Sequence, residues 1–191
     1  MNKSRLEAFS DGVIAILITI MVLELKVPRT AELTALRPVL PVFLIYAVSY
    51  LYLGIYWNNH HHLLQATAHV NGRVLWANLH LLFWLSLFPF VTGWVGHTEF
   101  APWPMAIYGM VLLCAAVAYY ILSRALLSLH GRESVLAAAL GRDFKGKVSL
   151  LIYVVAIPLA FVGWWLAGGL YFGASLLWIV PDRRIEKTLS R

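Results

Sequence analysis

The sequence predicts an all-α integral membrane protein with six transmembrane helices per chain. Three observations lead there: the composition, a series of long uncharged runs, and the one-sided distribution of basic residues. Of the 191 residues 61% are hydrophobic and only 13% charged, with a mean hydropathy of +0.75. Ordinary soluble domains are about 45–50% apolar and about 25% charged. Eight Trp and nine Tyr supply the amphipathic rings that favour the membrane–water interface. A single cysteine, Cys114, excludes an intrachain disulfide framework and a multi-cysteine metal site. The net charge of +6 reads as a topology signal rather than as a nucleic-acid surface, because basic residues in membrane proteins set orientation.

The spans follow in order along one 191-residue unit: residues 6–27, 38–60, 73–96, 100–125, 147–166 and 168–182. The first is closed by Pro28, which cannot continue a helix. It carries Glu7 and Asp11 at its start and lacks a small-residue cleavage site, so it reads as a retained helix and not a cleaved leader. The second, third and fourth are built on the uncharged runs 39–57, 74–96 and 100–123, each of membrane-spanning length. Between Arg124 and Lys147 lies a charged loop in which Ser134–Leu140 reads as one or two turns of interfacial helix. The next uncharged run, 148–181, would be about 51 Å long as one helix against a hydrocarbon core of about 30 Å. Gly163, Gly168 and Gly169 offer a break, giving two helices of about 148–166 and 170–180. With six spans and both termini cytoplasmic, twelve Lys and Arg fall inside and only Lys26, Arg29 and Arg37 outside. Five spans would erase that bias.

Polar residues in a bilayer are costly and mark function or pairing, so Ser10, Asp11, Thr19 and Glu24 of the first span need partners or a role. At 100° per residue with Ile16 as origin, Phe9 falls at about +20°, Gly12 at about −40°, Ile20 at about +40° and Leu23 at about −20°. They form one stripe, with Arg5 at its cytoplasmic end and Thr19 at its edge. Ser10 and Asp11 point to the back of the helix. They must meet other helices, where Asn58, Asn59 and His60–His62 after the second span and Asn78, His80 and Ser86 in the third are available. The helix is apolar nearly all round, so periodicity alone does not separate a functional stripe from ordinary packing.

The run Arg5-Leu6-Glu7-Ala8-Phe9-Ser10-Asp11, an R-x-x-x-F-S-D motif opening the first span, supplies the missing specificity. It closely resembles the start of the transmembrane protein 175 family of potassium channels in its single-repeat prokaryotic form. Trp57-Asn58-Asn59-His60-His61 and Asn78…Ser86…Pro89-Phe90 extend the likeness, which covers the whole chain in length and six-span layout. The resemblance implies that the first helices of four subunits surround a central pore in a homotetramer. It places constriction and selectivity at Ile16, with further rings at Ile20 and Leu23 and Thr19 between them. Arg5, Phe9, Ser10, Asp11, Trp57, Asn58, His61, Asn78 and Ser86 are then expected as the motif and interhelical network that holds the pore helix.

No T-V-G-Y-G run is present, so a filter of backbone carbonyls of that type is not available. Apolar rings would discriminate by the cost of stripping hydration and could gate by dewetting. Potassium would pass in preference to sodium, and rubidium and caesium would pass too. Glu24 at the outer mouth could concentrate cations, or pair with Lys26 or lipid headgroups. The alternative is a proton- or cation-coupled secondary transporter using Asp11 or Glu24 as its ion site, although the first helix is unbroken. Three consecutive histidines point in three directions on a helix, so no metal site or cofactor is expected. No nucleophile–base pair, paired carboxylates or phosphate-cradling glycine motif suggests an enzyme. The expected setting is the plasma membrane of a prokaryote, with membrane lipid and permeant K+ as partners.

Overall fold

The computed structural model describes residues 3–130 and 144–179. The expected interfacial turn at Ser134–Leu140, and the basic residues Arg132, Arg142, Arg183, Arg184, Lys187 and Arg191, lie outside the described residues. The architecture is all-helical. α1 covers Lys3–Met21, continued by a 3-10 turn at Val22–Glu24; after a second 3-10 turn at Leu33–Leu36 comes α2, Leu40–Gln65. α3 (Gly72–Ser86) and α4 (Phe88–His97) together form the third segment. α5 covers Pro102–His130, α6 Phe144–Leu159 and α7 Trp164–Ile179. The stretches Lys3–Glu24, Leu40–Gln65, Gly72–His97 and Pro102–His130 are each long and apolar enough to cross a membrane, and Trp164–Ile179 is a shorter apolar helix.

The element boundaries follow from local chemistry. Proline in the first turn of α2 gives up an N–H that a helix start leaves unpaired anyway. Asn71 caps α3, its side-chain oxygen accepting from the Val74 N–H at 3.0 Å. The third segment is broken at Leu87, just before Pro89, which has no N–H for the ladder and sits in the first turn of α4. Two corrections to the expected spans concern breaks. The first helix ends at Met21 and its 3-10 turn at Glu24, short of residue 27, because Leu25 is already extended (ψ 96°) on the approach to Pro28. The fifth and sixth segments part at Ala160–Gly163, not at Gly168 and Gly169, which lie inside α7. Pro158 weakens the end of α6, and Gly163 closes it by donating to the Leu159 carbonyl at 3.0 Å. A Cβ at Gly163 would crowd the Trp165 indole at 2.9 Å, so glycine fits the turn. By contrast the space around Gly169 is open.

α5 is the hub, packed on α3, α4, α6 and α7, while α2 lies against α4 and α7. Small residues allow the close approaches that bilayer-embedded helices need. A Cβ on Gly96 would reach the Val42 backbone, and one on Gly109 would fall on the Tyr171 hydroxyl. Hydroxyls bind the interior: Ser49 bridges Thr92 (2.7 Å) and Tyr108 (3.0 Å), and Tyr52 donates to the Tyr171 carbonyl at 2.6 Å. α1 stands at the edge of this bundle, touching α2, α3 and α4.

Candidate functional site

The sequence of α1 places two different surfaces on one cylinder. Leu6, Ser10, Ile14, Leu17 and Met21, spaced four, four, three and four residues apart, are buried against the chain's own helices. On the other side Phe9, Gly12, Ile16, Thr19, Ile20 and Leu23 are exposed, Ile16 to 57% and Leu23 to 69%. Ala8, Ala15 and Val22 are exposed as well, so the exposed side contains the stripe expected from the 100° projection and is wider than it. The Thr19 hydroxyl donates back to the Ile16 carbonyl at 2.9 Å, so its oxygen stays on the exposed side of α1.

The buried side is anchored by two polar ladders. In the first, the Asn78 amide of α3 donates to Ser10 Oγ at 2.9 Å, and Ser10 donates to the Leu6 carbonyl at 2.9 Å. That fixes the orientation of the Asn78 amide, leaving its oxygen to accept from His60 Nε2 of α2 at 2.7 Å. His60 is therefore protonated on Nε2, and its buried Nδ1 has no partner among the described residues. Three helices are joined through one serine, one asparagine and one histidine, all fully buried. In the second ladder Trp57 Nε1 donates to Asp11 Oδ1 at 3.0 Å, and one turn further on His61 Nδ1 lies 3.2 Å from Glu7 Oε1. The Trp57 and His61 rings stack with centroids 6.1 Å apart. Glu7 and Asp11 are four residues apart on α1, as Trp57 and His61 are on α2, so each pair faces the other at the same helical level. At the end of α2, Lys3 Nζ donates to the Leu64 and Gln65 carbonyls at 3.1 and 3.2 Å. These are carbonyls that the helix end leaves without partners.

Of the expected network, the structure brings together Ser10, Asp11, Trp57, His61 and Asn78. Phe9 and Arg5 are exposed, and Arg5 has no partner among the described residues. The reason is rotational: Arg5 projects onto the same side as Ile16. Ser86 donates to the Phe83 carbonyl of its own helix at 2.7 Å, beside the α3–α4 break. Asn58 is half-buried and lies outside both ladders. The Asn58–His62 run belongs to the last turns of α2 rather than following it, which is what aims His60 and His61 at α3 and α1. His62 turns edge-on to His61, with ring centroids 5.7 Å apart. Glu24 leans on α4: its carboxylate covers Gly93, where a Cβ would meet Oε2 at 2.7 Å, and lies 3.9 Å from His97 Nδ1. Lys3, Glu7 and His60 were not among the expected network residues. For Glu7 the signal was its four-residue spacing to Asp11, matched by that of Trp57 to His61.

Fold and site together define an all-helical, multi-pass membrane protein whose N-terminal helix is pinned by polar ladders on one face and left uncovered by the described residues on the other. The chain belongs to the TMEM175 family. Residues 5–89 match the family described as the endosomal/lysosomal potassium channel TMEM175. A protein of Chryseobacterium sp. (strain P1-3) named as a potassium channel is 52% identical over 189 residues, covering 99% of this chain and 98% of that one. Another potassium channel, from Chamaesiphon minutus, is 30% identical over 189 residues, 90% of each chain. The fold superimposes with a TM-score of 0.81, at 26% identity, on the crystal structure of a lysosomal potassium-selective channel TMEM175 homologue from Chamaesiphon minutus, covering 93% of this chain and 96% of that one.

Proposed function

We propose that the chain is one subunit of a potassium-selective cation channel, a homotetramer in which four copies of α1 surround the permeation path. The observation that carries this reading is the uncovered face of α1. An apolar stripe containing Ile16, Ile20 and Leu23 faces away from α2, α3 and α4, while the opposite face is locked by the Ser10–Asn78–His60 and Asp11–Trp57 ladders. A single helix cannot enclose a pore, and closed cyclic symmetry is the ordinary way for identical subunits to do so. Rings of Ile16, Ile20 and Leu23 offer no oxygen to replace hydration water. Selection rests on the smaller dehydration cost of potassium than of sodium, and rubidium and caesium pass for the same reason. Arg5 sits at the cytoplasmic entry of the stripe, and Glu24 acts on the outer vestibule from its seat on α4.

The carrier reading needs Asp11 or Glu24 as an ion site. Asp11 is engaged by the Trp57 indole on the far side of α1 from the stripe, and Glu24 is packed on Gly93, an arrangement that favours the channel. The one-sided distribution of basic residues supports both termini being cytoplasmic, and the relatives from Chryseobacterium and Chamaesiphon support a prokaryotic setting and with it the plasma membrane. Purified protein in a planar bilayer under a potassium/sodium gradient tests the reading. Single-channel steps with a reversal potential displaced toward that of potassium are expected. Slow, saturable flux without steps would overturn it in favour of a carrier.

A further inference from the structure

A cavity of about 170 Å³ lies between α2, α5, α6 and α7, away from α1, with Tyr56, Asn59, Tyr119, Tyr153, Lys147 and Trp178 in its wall. Three tyrosines of that wall are engaged. Tyr52 donates to the Tyr171 carbonyl at 2.6 Å, Tyr119 to the Asn59 carbonyl at 3.2 Å and Tyr153 to the Tyr52 hydroxyl at 3.3 Å. Tyr56 is different. Its ring is held edge-on between Phe88 and Tyr119 and the residue is only 9% exposed, yet among the described residues its hydroxyl has no partner. The oxygen is not among the enclosed side-chain atoms that lack a partner, so it opens onto the cavity space as a free donor for a bound acceptor. Lys147 sits at the mouth, exposed and without an ion-pair partner among the described residues. The remaining wall is largely apolar, with Ile55, Ala116 and Leu150.

We infer that this cavity is a site for one acidic phospholipid of the cytoplasmic leaflet, with its anionic headgroup on Lys147, an ester carbonyl accepting from Tyr56 and one acyl chain along the apolar wall. One wall thus combines an exposed cation, a hydroxyl donor and an apolar lining, the three chemistries that the phosphate, ester and chain of such a lipid require. A free fatty acid would satisfy Lys147 and the wall but would leave Tyr56 unpaired. Basic pockets between transmembrane helices on the cytoplasmic side are where acidic headgroups bind. The inference rests on the proposed orientation only in naming the leaflet, and it concerns a face remote from the α1 stripe.

Native mass spectrometry of the full-length protein in mild detergent, titrated with dioleoylphosphatidylglycerol, dioleoylphosphatidylcholine or oleate, tests it without any reading of ion flux. The wild type is expected to retain about one phosphatidylglycerol per subunit in preference to phosphatidylcholine. Lys147→Gln should abolish that preference. Tyr56→Phe, which keeps the ring between Phe88 and Tyr119, should weaken retention by about two- to tenfold, the size of one hydrogen bond. Equal retention of the two lipids by the wild type, or equal retention of phosphatidylglycerol by wild type and both variants, would overturn the site. Oleate retained with dependence on Lys147 but not on Tyr56 would make it a fatty-acid site and overturn the phospholipid assignment. A channel that fails to conduct but binds lipid in this pattern would leave this inference standing and remove the proposed function.

Discussion

α1 and α5 are equally apolar, yet half of α5's apolar stretch is buried within the chain and only 28% of α1's. α5 spends its surface on its own chain: Tyr108, Leu112, Ala115, Ala118, Leu122 and Leu126 are fully buried, and Gly109 lets Tyr171 lie directly on the helix. α1 commits one side only. Hydropathy reports that a helix is compatible with lipid; which side meets protein is decided by small residues and by polar groups that need partners. In α1 those groups are Ser10 and Asp11, and both lie on or beside the packed side.

The contrast is sharpest at glycine. Gly109→Leu should remove folded protein from mild-detergent size-exclusion profiles, because the side chain has no room beside Tyr171 and overpacking costs about 3 kcal/mol or more. Gly12→Ala on α1, where the space is open, should leave the profile and the melting temperature unchanged. Next in size is the pair Ile14 and Ile16. Ile14 is fully buried, so Ile14→Ala should cost about 2–5 kcal/mol, seen as a lower thermal midpoint, while Ile16→Ala should leave the stability of the isolated subunit nearly unchanged. A substantial stability loss at Ile16 in monomeric protein would show that the uncovered face is packed after all.

The polar ladders come third. Asn78→Leu strands the buried His60 Nε2–H and removes the donor to Ser10, and should cost about 1–3 kcal/mol; the thermal midpoint reads it. Smallest is Glu7→Gln. The His61–Glu7 pair is partly exposed on both sides, and pairs of this kind contribute less than about 1 kcal/mol. A shift as large as that of Asn78→Leu would mean that the second ladder, not the first, pins α1.

Much of this was legible in the sequence because it depends on period and composition. The six segments follow from run length, and the exposed stripe of Phe9, Gly12, Ile16, Ile20 and Leu23 follows from helical projection. What depends on tertiary neighbours was not legible. The second span was expected to end at residue 60 and nothing local carries it on to Gln65; nor does anything local tell that Asn78 selects Ser10 and His60 while Ser86 turns back on Phe83. Among Gly163, Gly168 and Gly169 only one is the turn, and the choice was made by Pro158 upstream and by the Trp165 ring. Glu24 was placed at an outer mouth because of its position in the chain, whereas its side chain is held by the space over Gly93 on another helix. Arg5 and Phe9 carry the motif but lie on the exposed side of α1, away from both ladders.

The central claim, that the uncovered face of α1 lines the permeation path, is tested most directly by the bi-ionic potassium/sodium reversal potential of Ile16→Asn channels that elute as the wild-type assembly. An amide ring at that level would offer hydrogen bonds where the wall was dry and lower the dehydration cost for all ions. The account predicts larger conductance and a reversal potential moved from the potassium side toward zero. An unchanged reversal potential and conductance would contradict it and place the path on another helix face.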